Sequence, residues 1–113
     1  MSENFISQMT VFRKKSVMDR VGLLDPHEHL CMDYEYWMRL GREGDPLYID
    51  EYIASFRFYR TSKSGSMYPK QFADELRIAK AYAGKDYPMS ILMHKINYRK
   101  ICTAYRVLEW LGW

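Results

Sequence analysis

Residues 48–58 read YIDEYIASFRF. Tyr, Ile and Phe fill most of the stretch, and such residues favour the half-buried, pleated surface of a sheet. The stretch predicts a strand, broken near Asp50-Glu51. A second run, FISQMTVF at residues 5–12, alternates loosely and becomes β-rich toward its end, which predicts another strand. Between and beyond these runs the pattern is helical. The expected order is strand, short helix, helix, strand, helix, helix. That order predicts an α/β fold, with a small β-sheet, three to four helices and a long C-terminal helix. So few strands need a surface to cover them, so the pattern reads as part of a larger α/β domain.

The helices carry their own signals. In KKSVMDRVG, Ser16 and Asp19 have capping-box spacing, and Gly22 suits the C′ position after a short helix. Asp25-Pro26 marks a turn. A helix from Asp33 to Arg42 follows, with Gly41 and Gly44 bracketing its end. The polar stretch RTSKSGS at residues 60–66 is a loop. Pro69 suits the first turn of a helix running to Ala83, stopped by Gly84. Its apolar stripe is Phe72, Leu76, Ala79 and Ala83. A last helix runs from Pro88 to Leu111, with Met89, Leu92, Met93, Ile96, Ala104, Leu108 and Leu111 on one face and Lys95, Arg99 and Arg106 on another.

The chain has 113 residues, enough for one small domain. Its 48% hydrophobic and 16% aromatic content argues against intrinsic disorder. No apolar run is long enough to cross a bilayer, and MSENFISQ is too polar for a signal peptide. Cys31 and Cys102 lack metal-type or disulfide-framework spacing, which predicts reduced thiols in a cytoplasmic protein. The net charge of +3 sits in the tail: from Lys85 onward five basic residues face two acids, and the remainder is balanced. An electrostatic partner is therefore expected at the C-terminus.

The run HEHLCMDYE, residues 27–35, collects His27, His29, Cys31, Asp33 and Glu35. Their spacing matches no metal-ligand pattern, so no metal site is expected in this chain. Asp33 has a structural reading as helix N-cap, accepting N–H bonds from Glu35 and Tyr36. Glu35 and Arg39 have the spacing of a surface ion pair one helical turn apart.

Taken in order, NFISQMTVFRKKSVMDRVGLLD, MDYEYWMRLG, YIDEYIASFRF, SKS and QFADELRIAKAY resemble the second half of a family-two nucleotide-sugar glycosyltransferase of GT-A fold. The resemblance runs from Asn4 to Ala83 and implies a partial GT-A-like domain. Residues 1–84 would be its acceptor-side portion, and residues 85–113 a C-terminal basic amphipathic helix outside it. In such a family the acid opening the Asp-Tyr-Glu-x-Trp helix is the general base, which implies that role for Asp33. It would deprotonate an acceptor hydroxyl attacking the anomeric carbon, with inversion. A helix N-terminus favours the ionised carboxylate, so capping and base roles are compatible. The resemblance further implies that Trp37 and Gln8 border the acceptor, that Arg57, Ser62 and Ser64 face the donor diphosphate, and that Glu35 and Arg39 brace the helix.

Two departures from the family pattern stand out. Phe58 and Tyr59 follow Arg57 where many relatives have a metal-ligating His. The sequence also carries no Asp-x-Asp motif and no preceding βαβ unit to hold a nucleotide. A Mg or Mn ion is thus implied only for a full-length enzyme, as are the nucleotide-sugar donor and a sugar or lipid-linked acceptor. The chain alone is expected to be inactive. The alternative is a non-catalytic binding or assembly module derived from the same fold. For the last helix three fates stay open: packing on its own domain, forming a homodimer, or lying peripherally at the inner face of the membrane. Nucleic acid is not an expected partner, because cations are few and no binding motif is present.

Overall fold

The computed structural model describes residues 4–57, 66–83 and 87–112. The described chain forms four α-helices: α1 (Lys15–Val21), α2 (Met32–Leu40), α3 (Tyr68–Ala83) and α4 (Pro88–Trp110).

Helix α1 ends at Gly22, whose φ of 85° is left-handed and whose N–H reaches the Met18 carbonyl at 2.9 Å. Glycine enters that region without a Cβ penalty, so the chain can close the helix and turn away. The other end differs from the expected capping box. Lys14 is the N-cap without a side-chain bond, and Asp19 instead binds Lys15 Nζ at 2.8 and 2.9 Å. A lysine one turn before an acid competes directly for that carboxylate.

Helices α3 and α4 run antiparallel. Tyr68 stacks on Tyr105 with centroids 4.3 Å apart, and Phe72 tilts against Tyr98 at 6.1 Å. Pro88 occupies the first turn of α4, where its missing N–H costs no helical bond. Helix α2 packs on α3 through a core of Cys31, Tyr34, Ile78 and Ala79, flanked by Leu30, Met38, Tyr82 and Ile91. Two charged or polar groups lie in this interior, Glu75 and His94. Tyr34 and His94 bring their rings to 6.3 Å, which links α2 to α4 through the core.

Helix α4 is rotated from its expected face, whereas α3 turns inward the side of its expected stripe, with Ala79 buried and Phe72 against Tyr98. In α3 the buried positions are Tyr68, Glu75, Ile78 and Ala79. In α4 the inward face carries His94 with Ile91, Tyr98, Ile101 and Tyr105, while Met89, Leu92, Met93, Ile96, Leu108 and Leu111 are exposed. Aromatic rings bury more area per residue than aliphatic side chains and pair at defined angles. The Tyr68–Tyr105 and Phe72–Tyr98 contacts therefore set the helix rotation, and the aliphatic stripe is left outside.

The expected α/β architecture, a partial GT-A-like domain with a small β-sheet, is overturned: among the described residues there is no strand and no sheet. The run at 5–12 contains a single 3-10 turn, Gln8–Thr10. Residues 45–57 are non-helical with a bend at Glu51, and they are exposed throughout. Phe58, the end of the second expected strand, lies outside the described residues, as does Gly84. A strand exists only as part of a ladder, and neither run has a ladder partner among the described residues. Residue composition favoured strands, but the helices pack without a sheet.

Candidate functional site

Helix α2 begins one residue earlier than expected. Cys31 is its N-cap, with a non-helical φ of −133°, and the Cys31 carbonyl accepts the Glu35 N–H at 3.0 Å. Asp33 is thus inside the first turn rather than at its cap. Its Oδ1 accepts the N–H of Tyr34 at 2.8 Å, one of the donors that a helix start leaves without a backbone partner. Its Oδ2 receives only a longer bond, 3.4 Å, from Asn4 Nδ2. The carboxylate is half-buried, held on one side and with acceptor capacity left on the other.

One turn along, Trp37 is 5% exposed. Its indole Nε1 and the Asn4 Oδ1 are both buried without a hydrogen-bond partner among the described residues. Buried donors and acceptors are nearly always paired, so these two atoms stand out: one belongs to the residue that bonds Asp33, the other to the residue one turn along α2. The Arg13 guanidinium lies 5.6 Å from the Trp37 ring centroid and 5.1 Å from that of Tyr36, within cation–π range. Together these residues offer a carboxylate, an amide oxygen, an indole N–H and an adjacent cation. Such groups suit a hydroxyl-bearing ligand, which both donates and accepts.

Glu35 and Arg39 form the brace behind this face. Arg39 Nε and Nη2 reach Glu35 Oε2 at 3.0 and 2.8 Å. Its Nη1 and Nη2 also donate to the Val21 and Leu23 carbonyls, each at 2.9 Å. Tyr82 on α3 donates its hydroxyl to Glu35 Oε1, and its phenol is held above its ordinary pKa by burial and then by that bond to Glu35. Tyr36 adds a hydroxyl bond to the Gly22 carbonyl at 3.2 Å. The start of α2 is therefore fixed to α1, to the 22–23 turn and to α3.

Of the residues singled out in the sequence, the structure brings Asp33, Trp37, Glu35 and Arg39 together on α2. Gln8 is exposed in the 3-10 turn, and only its backbone carbonyl is engaged, by Val11 N–H. Arg57 is exposed and makes no hydrogen bond or ion pair with another described residue. Ser62 and Ser64 lie outside the described residues. No three of His, Cys, Asp and Glu converge as a metal-holding group among the described residues. Asn4, Arg13 and Tyr82 were not foreseen as neighbours of the site. Nothing in the local sequence pattern marks any of the three. Compared with known proteins, the chain matches no family model, no curated sequence and no solved structure.

Proposed function

We propose that this chain is the acceptor-side portion of an inverting nucleotide-sugar glycosyltransferase, with Asp33 as the general base. The observation that carries the reading is the asymmetry at Asp33. One oxygen is fixed at 2.8 Å by the Tyr34 N–H, and among the described residues the other receives only the 3.4 Å contact from Asn4. A base needs a fixed orientation and a free lone pair within reach of the acceptor hydroxyl. The positive end of the α2 dipole favours the ionised carboxylate. Trp37 and Asn4 would orient the acceptor through groups that have no partner among the described residues.

The donor nucleotide-sugar, and the Mg or Mn ion that would neutralise its diphosphate, fall to a portion that brings its own ligands. Among the described residues no group of three or more His, Cys, Asp and Glu converges. The test is Asp33→Asn in an enzyme uniting this chain with a donor-binding portion. Turnover should drop at least about a hundredfold while donor affinity stays nearly the same. Near-normal turnover would discard Asp33 as base.

One observation favours a second reading, a non-catalytic assembly module. Leu47, Tyr48, Ile49, Tyr52 and Ile53 are exposed along one non-helical segment. An apolar run of that kind marks a surface made for a partner. Full turnover of Asp33→Asn with loss of assembly on substituting Tyr52 and Ile53 would favour the module.

A further inference from the structure

We infer that the outer face of α4 docks on an anionic phospholipid surface. Met89, Leu92, Ile96, Val107 and Trp110 are exposed by 67, 49, 37, 49 and 84%. At about 100° per residue they share a sector about 60° wide, opposite the face that packs on α3. Lys95, Arg99 and Arg106 line one edge of this sector and are exposed. Lys100 stands between the two apolar runs. None of these four cations has an ion-pair partner among the described residues. Glu109, the acid of this helix among the described residues, forms no ion pair with them either. The outer face is therefore apolar with a cationic edge that no ion pair balances among the described residues.

Along the cationic edge of this sector an open groove of about 420 Å³ is lined by Leu92, Lys95, Ile96, Tyr98 and Arg99 of α4, with Leu76 of α3 at its side. Aliphatic walls beside two cations one helical turn apart fit an amphiphilic anion such as a phospholipid headgroup with the start of its chains. The charge pattern decides among occupants. A second copy pairing antiparallel about a two-fold would lay the cationic edges side by side, which repels. A nucleic acid would engage the cations and leave the Met, Leu and Trp face wet. A lipid surface satisfies both: the apolar sector enters the headgroup–acyl boundary, and the cations meet phosphates with their stems lying along it. Trp110 is 84% exposed within the apolar sector, where an aromatic ring suits the headgroup–acyl boundary. No described helix is long and apolar enough to cross a membrane, so the contact is a surface one. This inference does not depend on Asp33.

The full chain is cosedimented with vesicles of phosphatidylcholine alone and of phosphatidylcholine mixed with phosphatidylglycerol, at low and high salt. Binding should require phosphatidylglycerol and weaken with salt. Lys95→Gln with Arg99→Gln should lower partitioning about 25-fold, about fivefold for each cation. Leu92→Ser with Ile96→Ser should lower it as well. Both pairs are on the exposed face, and circular dichroism checks that helix content is kept; if the apolar pair fails to fold, the charge pair carries the test alone. Equal binding to both vesicle types, or none, overturns the proposal. So does displacement by free glycerophosphate, which would mean a soluble phosphate ligand. A concentration-dependent dimer in sedimentation velocity, dispersed by Leu92→Ser with Ile96→Ser while vesicles capture nothing, would assign the face to a second copy.

Discussion

Arg39 and Glu35 lie one turn apart on α2, and the guanidinium that grips Glu35 at 2.8 Å also donates to the Val21 and Leu23 carbonyls. One side chain thus ties the helix bearing Asp33 to the end of α1. Both partners are mostly shielded, with side-chain exposures of 24 and 12%. Lysine cannot reproduce a planar fork with several fixed donors. Arg39→Lys should therefore lower unfolding free energy by about 1–3 kcal/mol, the scale for hydrogen bonds to a charged group. Urea denaturation followed by circular dichroism measures it. An unchanged midpoint would show that the brace is not formed in solution.

The two thiols should behave oppositely. Cys31 is 1% exposed, donates Sγ–H to the Gln71 carbonyl at 3.2 Å, and Cys102 is only partly buried. Burial pushes the Cys31 thiol well above its ordinary pKa, with Glu75, Asp74, Asp33 and Glu28 adding to the shift. The folded pKa is raised, so this contribution to stability is complete below the unfolded pKa, about 8.5, and declines as pH rises beyond it. The Tyr34 phenol, raised by burial and then by Glu75, adds the same trend above about pH 10. The urea midpoint should fall from about pH 8.5 upward. Cys31→Ala should flatten the first part of that fall. At neutral pH a thiol reagent should modify Cys102 quickly and Cys31 only on unfolding; equally fast labelling of both would contradict the packed core.

Gly22 offers a cleaner test of backbone strain. A Cβ there would approach nothing closer than Arg39 Nη1 at 3.9 Å, an ordinary contact. The cost of Gly22→Ala is thus conformational, from a φ of 85°. It should destabilise the protein by about 1 kcal/mol, seen as a lower thermal midpoint. A stabilised variant would mean that α1 does not end in this conformation.

Much of the helix placement was legible because its signals are local. Pro88 marks the start of α4, Pro69 the first turn of α3, Gly22 the end of α1, and the Tyr34–Trp37 run the body of α2. The rotation of α4 was not legible, because it depends on which side chains meet across elements. Leu92 and Ile96 have the spacing of a core face, yet the Tyr98–Phe72 and Tyr105–Tyr68 contacts turn the opposite side inward. The expected strands failed for a related reason: Tyr48 and Ile53 favour β-structure, but a ladder needs a neighbour that no single segment encodes. At the candidate site, Asp33, Glu35, Trp37 and Arg39 share one short helix and could be read together. Their companions are distant in sequence. Asn4 reaches Asp33 across 29 positions and Tyr82 reaches Glu35 across 47, and no periodicity reports such contacts.

Trp37 separates a packing role from a ligand-binding one. Its indole ring is almost fully buried, but its Nε1–H has no partner among the described residues. Leaving a donor buried and unpaired costs about 1–3 kcal/mol. Trp37→Phe removes that penalty while losing part of the ring, and the two effects oppose each other. Stability should change by less than about 1 kcal/mol for Phe, against a loss of about 3–5 kcal/mol for Ala. If the idle N–H is kept for an acceptor hydroxyl, Trp37→Phe should still weaken acceptor binding about tenfold, the scale of one hydrogen bond left unmade. Denaturation and saturation-transfer titration of the same variant separate the two effects. A large stability loss in Trp37→Phe with no change in acceptor affinity would make the indole a packing group and remove it from the acceptor site.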